Sequence, residues 1–368
     1  MFQADAARTV INTLEWRITA MTIVAEKYAH VIGVDTHSRT HTYAIITTAT
    51  GARTGCEVFP VTAAGTRRAI AWIRRNTTGP ILAAVEGTAS YGSLLTRALG
   101  AEDITVVEAK PPRKAARAGV GKTDEIDATA AATGILGTDV DRLLQPRTGG
   151  ARVAVSVLLA SRRRVEQQCT ANRNALNALV RQIDLGLDAR RALTDKQLAE
   201  ISTWRTRPTD SVEQQIAREE AIELAKNITA AVDRVKQIKS HLAELGEQLA
   251  PGLQAQPGLG PVTAGIILAS YSHHGRIRSE AAFASLAGAA PLKASSGNTT
   301  RHRLNRHGDR QLNMALDIII KVRMQFDETT KKYVARRTNE GLSYREIKRV
   351  LKRYLARSIF RQLQQLCP

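Results

Sequence analysis

His30-Val-Ile-Gly-Val-Asp35 is a short apolar run closed by an acid. Ile81-Leu-Ala-Ala-Val-Glu86 repeats the pattern, and Gly121-Lys-Thr-Asp-Glu-Ile-Asp-Ala128 adds two acids three residues apart. On a helix that spacing presents Asp124 and Asp127 from one face. Acids at the ends of buried strands are costly unless something positive neutralises them. A pair of divalent metals about 4 Å apart over a phosphodiester is the usual reason to gather four carboxylates. Asp35, Glu86, Asp124 and Asp127 are therefore the candidate catalytic and metal-binding residues, and two Mg²⁺ ions are the expected cofactor.

The surrounding sequence supplies the elements that would carry these acids. Residues 31–35, 42–47 and 57–61 read as strands. Residues 63–75 read as a helix with Ala64, Ala69, Ile70, Trp72 and Ile73 on one side. A strand at 81–85, a helix at 91–99 and a strand at 104–108 follow, and Pro111-Pro112 stops the sheet. Thr123 is a suitable N-cap for a helix over 123–136, with acids in the first turn where the helix dipole favours them. The order β-β-β-α-β-α-β-α is the ribonuclease-H-like arrangement, whose acids belong on the first strand, the fourth strand and the last helix. The expected fold class is α/β plus α.

Residues 151–250 change character and become rich in Arg, Gln and Ala. Amphipathic stretches at 153–183 and 212–249, joined by a turn at 203–209 containing Pro208, fit an antiparallel hairpin or coiled coil. An ordinary helical bundle fits the periodicity equally well. Gln256-Pro-Gly-Leu-Gly-Pro261 then opens an apolar helix and resembles a helix-hairpin-helix turn, where backbone N–H groups grip a phosphate. A tight turn without a ligand is the plainer reading. Beyond it, Lys293, Arg301, Arg303, Arg306 and Arg310 face only Asp309, and an amphipathic helix is expected over 311–324. Residues 331–361 hold eleven Lys/Arg against Glu340 and Glu346, which reads as basic helices with one buried face.

The whole chain shares this bias. Its 368 residues carry 53 Lys and Arg against 34 Asp and Glu, a net charge of +19. That excess favours a polyanion, most simply the phosphate backbone, over a small neutral substrate. Lys110, Arg113 and Lys114 join Arg301, Arg303, Arg306 and Arg310 as nucleic-acid-binding candidates. No apolar run approaches the roughly 18 residues that would span a bilayer. Cys56, Cys169 and Cys367 are too scattered for a zinc site or disulfide framework and suit a reducing cytoplasm. A bacterial, nucleoid-associated location is the expectation. Residues 1–20 read as an extension before Met21.

These motifs together resemble the insertion-sequence transposases that join an N-terminal RuvC-like DEDD domain to a C-terminal domain with a nucleophilic serine and work with a bridge RNA. Gly33-Val-Asp35, Val85-Glu86, Lys122-Thr-Asp-Glu-Ile-Asp-Ala128, Gln256-Pro-Gly-Leu-Gly-Pro261 and Gly288-Ala-Ala-Pro291 leading to Ser296-Gly297 carry the resemblance. It covers residues 30–330 and divides the chain into five segments. These are an extension (1–20), the RuvC-like domain (21–145), a helical hairpin (146–250), a transposase domain (251–330) and a basic helical tail (331–368). By resemblance the nucleophile is Ser296, with Ser295 as the one-residue alternative. The partners implied are donor and target DNA, a non-coding RNA and further copies of the chain, as a dimer or tetramer. The runner-up is a RuvC-like nuclease or junction resolvase that uses water. Gly33-Val-Asp-Thr-His-Ser-Arg39 faintly suggests the phosphate hairpin of actin-like kinases, but no second Gly-rich phosphate loop follows. A non-catalytic nucleic-acid-binding protein would need no carboxylate quartet. His37 and His41 flank the first hairpin, where a nucleic-acid contact or a structural role is open to each.

Overall fold

The computed structural model describes residues 22–109, 123–147, 150–188, 190–293, 302–303, 305 and 308–367. They fall into two units, Met1–Arg147 and Thr148–Pro368.

Alternation along β1 (His30–Thr36) organises the first unit. Successive side chains of a strand point to opposite faces. Ile32 and Val34 enter one apolar cluster with Ile70, Ile73, Leu95 and Leu99, whereas Val31 enters another with Leu82, Ala84, Ala131 and Ala132. The strand pairs antiparallel with β2 (Thr40–Thr47) and parallel with β4 (Ile81–Val85). With β3 (Arg53–Pro60) beyond β2 and β5 (Thr105–Glu108) beyond β4, the mixed sheet runs β3-β2-β1-β4-β5. Helices α2 (Ala63–Asn76) and α3 (Ser93–Ala101) supply the first cluster. The second face is covered by the short α1 (Val24–Lys27) and by α4 (Asp124–Thr133). This is the ribonuclease-H-like order expected from the sequence.

The second unit is helical in its described residues, apart from one small hairpin of strands. Helices α5 (Gly150–Gln182) and α7 (Val212–Leu249) pack along one another. At 38 residues α7 is roughly 57 Å long. Val155 meets Ile238 and Leu242 at one end, and Leu176 and Val180 share a cluster with Ala217, Ala221, Ala225 and Ile228 at the other. The connection is longer than the turn read at 203–209. It contains α6 (Asp195–Ser202), opened by a capping box between Thr194 and Gln197, and Leu198 and Ile201 of this helix join the same cluster. Arg218 is buried beside it, 2.5 Å from Asp210 and over the Trp204 ring at 5.0 Å.

Helix α8 (Pro261–Tyr271) is apolar on every side and is accordingly enclosed. Around it α9 (Glu280–Leu286), α10 (Arg310–Phe326) and α12 (Tyr344–Leu366) share a core containing Leu268, Tyr271, Phe283, Leu316, Ile320 and Ile359. The more exposed α11 (Glu328–Asn339) links α10 to α12. The turn before α8 depends on Gly258. Its φ is +82°, and a Cβ there would lie 2.9 Å from the Ile319 carbonyl oxygen. Arg323 donates to the Pro257 carbonyl at 2.9 Å, which fixes the turn further against α10. Between α9 and α10, β6 (Leu292–Lys293) pairs antiparallel with β7 (His302–Arg303). No described helix is long and apolar enough to cross a membrane.

Candidate functional site

Strand parity places the first two acids. Asp35 lies two residues beyond Gly33 and four beyond Val31, so it shares their face, the one covered by α4. Glu86 follows the last residue of β4, and continuing the same count would place it on the face of Leu82 and Ala84. The two strand ends are tied together: the Glu86 N–H donates to the Val34 carbonyl at 3.0 Å, and Thr36 Oγ1 donates to the Glu86 carbonyl at 2.9 Å.

Helix α4 brings the other pair. Gly33 lets it lie against the sheet, because a Cβ at that position would sit 1.9 Å from the Ala128 carbonyl oxygen. Thr123 caps the helix by accepting from the Ile126 N–H at 3.3 Å. Asp127, Ala128, Ala131 and Ala132 are buried on the sheet-facing side. Asp124, one turn before Ala128, is half exposed. Glu125 points elsewhere and approaches Arg53 at 3.5 Å.

His37 completes the cluster. Its Nε2 lies 3.0 Å from Asp35 Oδ2 and 3.4 Å from Asp124 Oδ1. Asp35, His37 and Asp124 each offer a ligand atom, and these atoms all lie within 4.8 Å of one another. The sequence did hold a signal for His37, since residues 35 and 37 share parity at the end of one strand. His41 is different. It is buried, packs edge-on to Tyr43 with centroids 6.5 Å apart, and burial lowers its pKa.

The electrostatics suit a cation. Burial raises the Asp35 pKa above the ordinary carboxylate value, and the charges of Asp124 and Asp127 raise it further against the opposing pull of His37. Such a donor set is hard, anionic and partly desolvated, and it fits an oxygen-seeking divalent ion.

The second group of candidates is only partly described. Ser295, Ser296, Arg301 and Arg306 lie outside the described residues, as do Lys110, Arg113, Lys114 and residues 1–20. The pairings Leu292↔Arg303 and Lys293↔His302 put Ser296 in the segment joining β6 to β7. Arg303 is placed by its backbone in β7. Arg310 is exposed at the first turn of α10. Asp309, the acid among these basic residues, is the cap of that helix. It accepts from the N–H groups of Gln311 at 2.8 Å and Leu312 at 3.0 Å, and from Ser270 Oγ at 2.8 Å.

A transposase family model of the IS110-type DEDD class matches residues 32–184, the span that begins with β1 and includes all four acids. A second model, described as transposase IS116/IS110/IS902 family, matches residues 250–335, from the Gly-rich turn through α10. No curated protein matches the chain.

Proposed function

From the premise that this chain is an IS110-family transposase, an enzyme acting on DNA, we propose that it cuts and rejoins strands through a covalent phosphoserine under the guidance of a structured RNA. The observation that carries the chemical half is the meeting of Asp35 on β1 with Asp124 on α4, whose ligand atoms and that of His37 lie within 4.8 Å of one another, beside the Asp127 charge that also acts on Asp35. Asp35, Glu86, Asp124 and Asp127 would hold divalent metal, with Mg²⁺ the natural choice for carboxylates. When bound, the metal would supply charge stabilisation at the phosphate and at the leaving sugar oxygen. His37 is positioned to orient Asp35 by hydrogen bonding and approaches Asp124 at 3.4 Å.

Ser296 is the proposed nucleophile. Its Oγ forms a bond to phosphorus as the bond to the leaving sugar oxygen breaks. The serine proton passes to a base, and the leaving oxygen gains one. The phosphodiester energy stays in the Ser–O–P linkage, so the reverse attack by a new DNA end rejoins the strand without ATP. Arg301, Arg303, Arg306 and Arg310 are proposed to neutralise phosphate charge around the serine, as arginines do in other phosphoryl-transfer sites. Trapping the complex on a nicked DNA and sequencing its peptides by mass spectrometry is the test. DNA is expected on Ser296. DNA on Ser295 would move the register by one residue, and no adduct from an active enzyme would favour a nuclease that uses water.

RNA guidance and assembly rest on different residues. Helices α11 and α12 carry Lys331, Lys332, Arg336 and Arg345, and Lys110, Arg113 and Lys114 add to the same bias. We assign these to the nucleic-acid backbone, with a homodimer or homotetramer formed on it. Contacts of this kind release counterions. Affinity for the RNA transcribed beside the gene is expected to fall by about a thousandfold or more between 50 and 200 mM salt for six or more phosphate contacts. Filter binding across that range measures it, and a flat profile would remove the assignment.

A further inference from the structure

A cleft of about 380 Å³ opens in the second unit between residues 288–291 and the first half of α12. Ala289, Ala290, Pro291 and Val350 give it apolar walls, while Arg349, Lys352 and Arg353 supply positive charge. The walls are preformed. The Ala289 N–H donates to the Ala284 carbonyl at 2.8 Å, Asn313 Nδ2 donates to the Ala287 carbonyl at 2.6 Å, and Asn305 Nδ2 donates to the Ser285 carbonyl at 3.2 Å.

The cations divide into two kinds. Lys352 is committed to the protein, donating to Asn313 Oδ1 at 3.1 Å and pairing with Asp317 at 2.8 Å. Burial alone would raise the Asp317 pKa, but hydrogen bonds from Lys352, Lys321 and Lys348 hold it well below the carboxylate range. Arg349 and Arg353 stand four residues apart on one helical face and form no ion pair among the described residues. Glu346, which lines the same cleft, is engaged in the capping box of α12 with Ser343, and those hydrogen bonds together with the Arg349 charge lower its pKa.

We propose that this cleft is a binding site for a single unstacked nucleotide of the DNA strand that the enzyme cuts. A duplex keeps its bases stacked inside, so a small apolar pocket flanked by two such guanidinium groups suits a splayed nucleotide instead. The walls would cover the sugar and base, and Arg349 and Arg353 would hold the flanking phosphate. The volume is within the roughly 300–1,000 Å³ range of pockets that enclose small organic ligands. Its position relative to the chemistry follows from chain length. Pro291 and Ser296 are five residues apart, and at about 3.6 Å per extended residue they lie no more than ~18 Å apart. On the Ser296 reading, chain length therefore keeps the cleft and the attacked bond near one another. This last step rests on the Ser296 reading, whereas occupancy of the cleft does not.

The test uses the full chain carrying Ser296→Ala, so that binding is read without covalent chemistry. Fluorescein-labelled single-stranded dT20 is titrated at several salt concentrations, with rU20 in parallel. The pair Arg349→Ala with Arg353→Ala is expected to weaken dT20 binding about tenfold and to lower the salt slope by ~1.4, or ~0.7 for each phosphate of a single strand that is no longer neutralised. Val350→Phe or Ala290→Leu fills the cleft without altering charge and is expected to weaken binding about fivefold at an unchanged slope. Thermal unfolding identifies any variant that has failed to fold. Exchanging exposed Arg67 and Arg68 of α2 for Ala removes the same charge elsewhere and is expected to have little effect. If both cleft-filling variants fold and bind normally, the arginines act as open surface charge and the pocket is refuted. A loss confined to rU20 would assign the cleft to RNA and also overturn the proposal. If the cleft variants lose dT20 while no serine adduct is ever trapped, the Ser296 reading fails and the nucleotide pocket stands.

Discussion

Asp35→Asn is expected to lower DNA strand cleavage by about a thousandfold or more, equivalent to roughly 4 kcal/mol of barrier, while making the metal-free protein more stable at neutral pH. The two effects have one cause. Burial raises the Asp35 pKa, and it stays raised although the pull of His37 outweighs the repulsion from Asp124 and Asp127. A folded-state pKa above the unfolded value means that Asp35 favours folding most at low pH. That advantage is lost as pH rises from the unfolded value through the folded one. Asparagine carries no charge to lose, so its metal-free stability should change less across that window. Added Mg²⁺ should raise the unfolding temperature of the parent protein and raise that of the variant far less. Thermal unfolding in EDTA and in Mg²⁺, at pH 4 and pH 7, reads all of this. A variant less stable than its parent in EDTA at pH 7 would show that the carboxylate is structural.

Gly33→Val is expected to abolish cleavage by another route and to move stability the opposite way. The new Cβ would fall 1.9 Å from the Ala128 carbonyl oxygen, a backbone atom that no side-chain rotation can move aside. Helix α4 must therefore lift from β1 and carry Asp124 and Asp127 away from Asp35. Overpacking of this kind costs roughly 1–3 kcal/mol, and more where backbone must shift. Chemical denaturation should show that loss in EDTA and Mg²⁺ alike. Retention of parental stability and cleavage would mean that α4 does not depend on Gly33 for its seat. Asp35→Asn and Gly33→Val are thus both expected to silence the enzyme, and the sign of their stability change is expected to separate loss of a proposed metal ligand from loss of a scaffold.

The elements that carry the acids were legible in the sequence because their physics is local. β1 and β4 are short apolar runs, and α4 has both a capping threonine and an alanine face. Once their order is known, parity alone assigns Asp35 and Glu86 to the α4 side. His37 was harder to see because its place depends on α4 returning to the same strand end, a contact between distant parts of the chain. The two long helices were readable from their apolar spacing, but α6 was hidden between them. At eight residues it shows too few turns for periodicity to reveal, and only its Thr194–Gln197 capping box marks it. The cleft beside α12 has no sequence signature of its own. It exists because α9, α10 and α12 share a core that leaves residues 288–291 facing Arg349 and Arg353.

In the proposed serine mechanism, cleavage and adduct formation are the same event. The measurement is therefore a denaturing gel of end-labelled DNA spanning the junction of the element and its flank, incubated with the parent protein or Ser296→Ala, with Mg²⁺ or EDTA. Labelled DNA should become protein-linked only with the parent protein and only with metal. Ser296→Ala should bind the DNA yet yield neither adduct nor cut ends. Cut ends at the parental rate from Ser296→Ala, with no protein attached, would contradict serine chemistry and leave a nuclease whose acids activate water.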